Sequence, residues 1–408
     1  MTAELLITGI SQLVTAEGAG PKRGRAMNAV RIVEQAAIAV SGGAIQWAGK
    51  RRDWDGDAGS TVDVDGRAVV PGLVDPHTHA VWAGDRLNDF DARISGATYE
   101  SILAAGGGVR STIRATAAAT REQLVALAEP RVASLIASGA TTIEIKSGYG
   151  FTPETELMML EAIRSLAERV PARIVPTLLI HIPPADAAER SDYVTQVCDE
   201  LIPEVAKRQF AAAVDVFVEK EAWSVAEAEL MLRAAKQQGL AVKLHTDQFH
   251  SIGGAELGVR MGALSVDHLE AAGVEQIARI GESSVIATIV PGVALHLGIP
   301  VAAGRKLIDA GAAVAVGTDL NPGSCPLFSV SAAMALAVRM NGLTAQEALV
   351  ASTVNAACAL GIDDAGRIEE GCRADFLVLE SADWRDLAYT MGANAVREVW
   401  INGRRVDA

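Results

Sequence analysis

Ala68-Val69-Val70-Pro71-Gly72-Leu73-Val74-Asp75-Pro76-His77-Thr78-His79 is an apolar run that closes on two histidines. On an extended strand, residues i and i+2 point to the same face. His77 and His79 at a strand end can therefore grip one metal ion. The pattern returns downstream. Ile174–Ile180 stops at His181, Ala241-Val242-Lys243-Leu244 at His245, Ser265-Val266-Asp267 at His268, and Ala313–Thr318 at Asp319. Each is an apolar run ending in a metal-type or proton-transfer side chain. Together they predict parallel strands whose C-terminal ends converge.

Eight strand candidates can be drawn: Val69–Asp75, Thr141–Lys146, Ile174–Ile180, Ala213–Glu219, Ala241–His245, Leu264–Asp267, Val285–Val290 and Ala313–Thr318. Alanine-rich helical stretches such as Thr155–Glu168 and Val225–Gln238 lie between most of them. Eight βα units over roughly 290 residues fit a TIM barrel, in which strand ends share one site. An open doubly wound sheet would spread the same residues along an edge, so the barrel is the better reading. The chain ends have another character. Leu5–Thr8, Ala37–Val40 turning through Ser41-Gly42-Gly43 into Ala44–Trp47, and Ser60–Val64 read as short strands. Asp375–Leu379 and the hairpin Val396–Val406 match them at the other end. Neither set buries a core alone. The expected architecture is an α/β distorted (β/α)8 barrel over 66–360, with a small β-sandwich domain from residues 1–65 and 361–408. The connection from Ala80 to Ala128 is long and holds Gly106-Gly107-Gly108. It lacks a P-loop lysine and does not directly follow a strand, so it reads as a lid or ordinary loop rather than a phosphate cradle.

Composition narrows the partners. Half of the 408 residues are hydrophobic and only 4% aromatic, which favours an α/β interior. The net charge of -14 comes with no basic block, so nucleic acid is not an expected partner. One well-placed arginine still suffices for a small anionic substrate. Four cysteines without CxxC spacing suggest reduced thiols and a cytoplasmic location. The first residues lack the charged-then-apolar pattern of a signal peptide. No apolar run reaches ~18 residues, so no membrane span is expected.

The run Val70–His79 closely resembles the opening motif of the amidohydrolase superfamily, whose members combine a distorted TIM barrel with a small β domain from both chain ends. Four further motifs resemble the imidazolonepropionase family within it: Ile143-Glu144-Ile145-Lys146-Ser147-Gly148-Tyr149-Gly150, His245-Thr246-Asp247-Gln248-Phe249, Asp267-His268-Leu269-Glu270 and Asp319-Leu320-Asn321-Pro322-Gly323-Ser324. The resemblance spans essentially the whole chain. It implies that His77, His79, His245 and Asp319 hold one zinc or iron ion per chain, a mixed N/O set that leaves a position for water. It puts His181 and His268 at the substrate, Arg86 on a substrate carboxylate, and Tyr149, Asn321, Gly323 and Ser324 at substrate- or product-contacting positions. Asp319 takes the role of base, assisted by His268; Gln248 can only hydrogen-bond. Lys146 ends the second strand, where a lysine would not bridge two ions, so a single ion is expected. His250 and His296 read as peripheral.

The implied activity is hydrolysis of a C–N bond in a cyclic amide bearing a carboxylate, as part of histidine degradation. Two alternatives stand beside it. One is a deaminase of a cyclic amidine, which uses the same metal set without a carboxylate clamp. The other is a non-catalytic metal-binding barrel. Relatives in the superfamily often dimerise, which makes a homodimer the implied assembly.

Overall fold

The computed structural model describes residues 2–98, 101–102, 105–184 and 186–406. Met1, Asp407 and Ala408, assigned above to the end domain, lie outside the described residues. The strands are β1 (Thr2–Thr15), β2 (Arg31–Ser41), β3 (Ala44–Lys50), β4 (Asp57–Asp63), β5 (Val69–Pro71), β6 (Leu73–Asp75), β7 (Ala140–Lys146), β8 (Arg173–Ile180), β9 (Ala213–Val218), β10 (Ala241–Thr246), β11 (Ser265–His268), β12 (Ile286–Ile289), β13 (Ala313–Val316), β14 (Phe376–Leu379), β15 (Val396–Ile401) and β16 (Arg404–Val406).

The strands β6 to β13 pair in sequential order, all parallel, into an eight-stranded sheet curled into a barrel. All eight expected strands are present, but the first is divided. Val69–Pro71 joins the sheet of the chain ends, pairing with β1 and β14, while Leu73–Asp75 begins the barrel. Gly72 makes the crossing possible. A Cβ there would lie 2.3 Å from Thr141 Oγ1, so only glycine lets the chain pass this close to β7.

The end sheet contains β1 to β5 and β14 to β16. Its hairpins use the turns their sequences demand. Gly42-Gly43 joins β2 to β3 and Asn402-Gly403 joins β15 to β16, with all four residues at positive φ. A bulge between Ile7 and Ile10, with Gly9 at φ +69°, bends β1. Its first half pairs with β4 and its second touches β5. The sheet wraps a core of Ile7, Ile10, Leu13, Ile38, Val40 and Ile45, closed by Phe376 stacked on Trp400 at 5.3 Å.

The barrel seam decides where the chemistry sits. β6 and β13 do not pair along their length. At mid-height a helical segment fills the gap: Val74 N donates to Ser352 O, and Asn355 Nδ2 donates to Val314 O. At the C-terminal ends the chains close on each other. Asp319 N donates to His77 O at 2.9 Å, and His79 N donates to Leu320 O at 2.9 Å. Thr318 adds its N–H and hydroxyl to Asp75, the latter at 2.6 Å. The connection after His79 keeps an ordinary turn around Gly106 but carries helices on both sides of it. It is largely helical, with Leu87–Ile94, Val109–Ala118 and Arg121–Ala137, and Gly108 caps the second of these at φ +74°. Among the described residues, no helix is long and apolar enough to cross a membrane.

Asn355 is a test of the seam. Its amide also accepts from Lys22 N and donates to Lys22 O, and it is fully buried. Asn355→Ala leaves three backbone groups unpaired, at about 1–3 kcal/mol each before relaxation. A loss of about 2–4 kcal/mol in urea unfolding is expected; a loss below about 0.5 kcal/mol would show that the seam does not depend on this side chain.

Candidate metal centre and active site

Strand alternation aims the site residues inward, and the register of the parallel ladder sets their heights. His77 and His79 follow β6, His245 lies on β10, His268 ends β11, and Asp319 follows β13. All five are buried. His77 Nε2 lies 3.4 Å and His79 Nε2 3.2 Å from Asp319 Oδ1. His245 Nε2 faces His79 Nε2 at 3.3 Å. His77, His79 and His245 can offer nitrogens to one ion, and His77, His268 and Asp319 can offer two nitrogens and a carboxylate oxygen.

The donor chemistry fits a metal. His77 Nε2 and Asp319 Oδ1 are buried without a hydrogen-bond partner, although they converge. The opposite ring nitrogens are engaged. His77 Nδ1–H donates to Asp267 Oδ2 at 2.7 Å and His245 Nδ1–H to Asp215 Oδ2 at 3.0 Å. Each bond fixes a tautomer and turns the Nε2 lone pair to the centre. Asp215 also accepts from His245 N at 3.0 Å. Thus the four residues expected as ligands lie close together, and two carboxylates that were not singled out as site residues orient His77 and His245. A third set, His77 with Glu144 and Asp267, reads otherwise, because lysines occupy its carboxylates.

The backbone is unusual here. His268, Leu269 and Asp319 sit at φ +86°, +70° and +51°. Side chains rarely adopt this region, and such residues persist only where surrounding bonds hold them. For Asp319 those are the seam hydrogen bonds. His268 packs its ring 5.3 Å from His77 and 5.2 Å from His245. Its Nδ1 lies 3.5 Å from the buried Glu270 carboxylate, which leaves Nε2 for the centre.

Tyr149 and His181 form one wall, with rings 5.6 Å apart and His181 stacked 6.0 Å from His79. Burial, then the neighbouring His79, pushes the His181 pKa down to about 3, so the ring is neutral. Its Nδ1–H donates to Gly148 O at 3.3 Å, which leaves Nε2 as an acceptor. Burial raises the Tyr149 phenol above its ordinary range and keeps it protonated. Glu156 builds this wall from behind. Its carboxylate accepts from the N–H groups of Gly148, Gly150 and Phe151 at 2.7–3.0 Å.

Arg86 is mostly buried rather than a surface residue. Its Nε donates to Asp89, and Nη1 reaches Thr112 Oγ1 at 3.5 Å. The rest of the guanidinium faces Gly323, where a Cβ would come within 3.1 Å of Nη1. Arg131 steadies the segment between: it donates to Ala80 O and Trp82 O and lies 3.4 Å from the Trp82 ring centroid. Asn321 is engaged by its own loop. Its Oδ1 accepts from Gly323 N and Ser324 N, and its Nδ2 donates to Asp319 O and Ser324 Oγ, so it shapes its own loop. Gln248 is buried. It sits on a bend that Glu219 holds through Phe249 N and His250 N. His250 pairs with Glu219, and His296 accepts from Arg93 at 2.7 Å, both off the centre.

Residues 68–406 match the model of the amidohydrolase family. An imidazolonepropionase from Deinococcus radiodurans is 60% identical, with 99% of this chain and 100% of that protein aligned. One from Rubrobacter xylanophilus is 43% identical over 98% and 97%. Among solved structures, a zinc-bound adenosine deaminase from Xanthomonas campestris superposes with a TM-score of 0.73 at 20% identity, covering 99% of this chain and 93% of that one. Guanine deaminase from E. coli superposes with a TM-score of 0.73 at 17% identity over 98% of each. These two share the fold.

Asp267→Ala keeps every candidate ligand but frees the His77 ring. Losing such an orienting carboxylate typically weakens metal binding ~10–100-fold. Competition with a chromophoric chelator should show that loss; an unchanged affinity would mean that the Asp267 bond is incidental.

Proposed function

Since the chain belongs to the imidazolonepropionase family of amidohydrolases, we propose that it hydrolyses 4-imidazolone-5-propanoate to N-formimidoyl-L-glutamate in histidine degradation. It is a metal-dependent hydrolase of C–N bonds in a cyclic amide. What carries the reading is full-length similarity at 60% identity, supported by the convergence of His77, His79 and His245 and of His77, His268 and Asp319. The finer assignments are our own: a single zinc or iron ion on those four residues, a substrate carboxylate on Arg86, a cytoplasmic setting and a homodimer. The four free cysteines support the cytoplasmic setting.

When bound, the ion supplies the Lewis acidity that activates water and polarises a carbonyl near neutral pH. The chain's own groups do the rest. Asp319 takes the proton of the attacking water on its carboxylate and returns it to the leaving ring nitrogen. His268 Nε2–H donates to the carbonyl oxygen as negative charge develops on it. His181 Nε2 receives a ring N–H. The Tyr149 hydroxyl closes the same wall. The free face of the Arg86 guanidinium, beside Gly323, meets the propionate in a charge-assisted pair. Ser324 and Gln248 line the mouth, where Gln248 offers hydrogen bonds but no base. Asn321 keeps Gly323 and Ser324 in place.

An ultraviolet assay of substrate loss with metal-quantified protein tests the function. Release of ammonia from a cyclic amidine with no turnover of the imidazolone would instead favour the deaminase.

Arg86→Ala should chiefly raise KM, with a loss of roughly 2–4 kcal/mol in kcat/KM. Parent-like saturation would remove Arg86 from the substrate. The proton-transfer roles are tested by rank order. Asp319→Asn should retain some metal and lose kcat by ~10² or more. His268→Ala should keep full metal and also lose kcat steeply, and Gln248→Ala should do less harm than either. A Gln248→Ala defect equal to that of Asp319→Asn, or metal loss in His268→Ala, would overturn the roles.

A further inference from the structure

Beneath the histidines the barrel holds two lysines and three carboxylates, each at most 1% exposed. Lys146 Nζ donates to Asp215 Oδ2 and pairs with Glu144 Oε2, both at 2.8 Å. Lys243 Nζ donates to Glu144 at 3.1 Å and to Pro76 O, the carbonyl just before His77, at 3.0 Å. Both ammonium groups lie 3.7 Å from Asp267 Oδ2. Thr177 Oγ1 donates to Glu144 Oε1 at 2.6 Å, and Ser265 Oγ donates to Asp267 Oδ1 at 2.5 Å. Neither lysine reaches a candidate metal ligand directly. Each reaches the carboxylate, or the backbone, that orients one.

We propose that Lys146 and Lys243 are positioning residues for the metal centre, locking the orienting carboxylates Asp215 and Asp267 and the Pro76 carbonyl into one rigid unit. This rests on the metal-centre reading above. A lone lysine in a barrel could be there for stability alone. The connectivity argues for more. Lys146 bridges the orienter of His245 to Glu144, and Glu144 bridges to Lys243. Lys243 in turn holds the peptide that enters His77. The two ligands come from β6 and β10, on different sides of the barrel, and this is the linkage between them below the metal. Without a lysine, a carboxylate held by one fixed cation gains freedom to turn from its histidine. The Nε2 lone pair then loses its aim, although no ligand has been removed.

The test is zinc affinity of folded, metal-stripped protein, read by chelator competition. Lys146→Met and Lys243→Met should each keep the parent circular dichroism and weaken zinc ~10–100-fold, the scale of orienting-shell losses. Because an unpaired buried carboxylate can block folding, Glu144→Gln/Lys146→Met is measured too. It removes one charge of each sign and still leaves Asp215 without its lysine, so the same weakening is expected. Affinity within twofold of the parent in a folded variant overturns the proposal. Failure of every variant to fold also overturns it, since the lysines would then serve the fold itself. A parent protein that binds no zinc or iron would instead sink the metal-centre reading.

Discussion

Lys146, between Asp215 and Glu144 in the buried middle of the barrel, is the contact that ties the strands together beneath the site. Burying an isolated charge is very costly, and buried ions persist only when paired and hydrogen-bonded. Here each charge has partners from another strand. The register makes that possible: Lys243 stands beside Asp215 on one side and Ser265 on the other, and His245 stands beside Asp267. A one-residue slip in any of these strands would turn its charges outward into the apolar helix layer. The ionic interior therefore enforces the same register that aims the histidines. Most barrels fill this space with branched apolar side chains; this one uses it to tie strands together beneath the ligands.

Closure of the barrel and assembly of the site are one event. The bonds that join the first and last barrel strands run between His77 and Asp319, and between His79 and Leu320. Those segments carry three of the four candidate ligands. Asp319 takes its positive φ where its own N–H is bound to His77, so the strain is held by the seam. A chain with an open seam would have neither a barrel nor a metal centre. Asp75 belongs to the same device. Its carboxylate is occupied by Thr318 and by His77 N, and burial pushes its pKa up to about 6.

Much of this could be read from the residues, and the failures have physical causes. Apolar runs ending in histidine or aspartate located the barrel strands, because burial on both faces leaves a near-continuous apolar signature; the ligand set came from the family resemblance. The division at Gly72 was hidden, since Val69–Asp75 is apolar throughout and periodicity cannot tell two sheets apart. Asp215 and Asp267 were overlooked as orienters. Their signal was available: a charged residue at an inward position of an apolar strand, as with Glu144, Lys146, Asp215, Lys243 and Asp267. Asn321 matched a contact position, but an Asx side chain two residues before a glycine bonds its own turn. Glu156 was missed because its three partners are backbone N–H groups of the loop just ahead of its own helix, which leave no side-chain signal. The helices after His79 were also obscured, as the glycine run that reads as a loop ends in Gly108, which caps a helix.

Metal ligands alone do not settle a reaction. A His/Asp centre activates water; what the water attacks depends on the wall opposite. Here that wall combines an accepting His181, a protonated Tyr149 and a guanidinium aimed at a glycine. Two of those groups are set indirectly. Glu156 gathers the amides that fix Gly148, and Gly148 fixes the His181 tautomer. Arg131 grips the carbonyls of Ala80 and Trp82, so the chain running from His79 to Arg86 leaves the metal centre along a fixed path. The ionic floor sets the ligands while Glu156 and Arg131 set the wall. The two sets share no side chain, but the backbone joins them: β7 leads from Lys146 into Gly148, and β8 leads from Thr177 into His181. Substitutions confined to wall side chains leave the lysine–carboxylate pairs of the floor in place, so the residues facing a substrate can change without disturbing those that aim the candidate ligands.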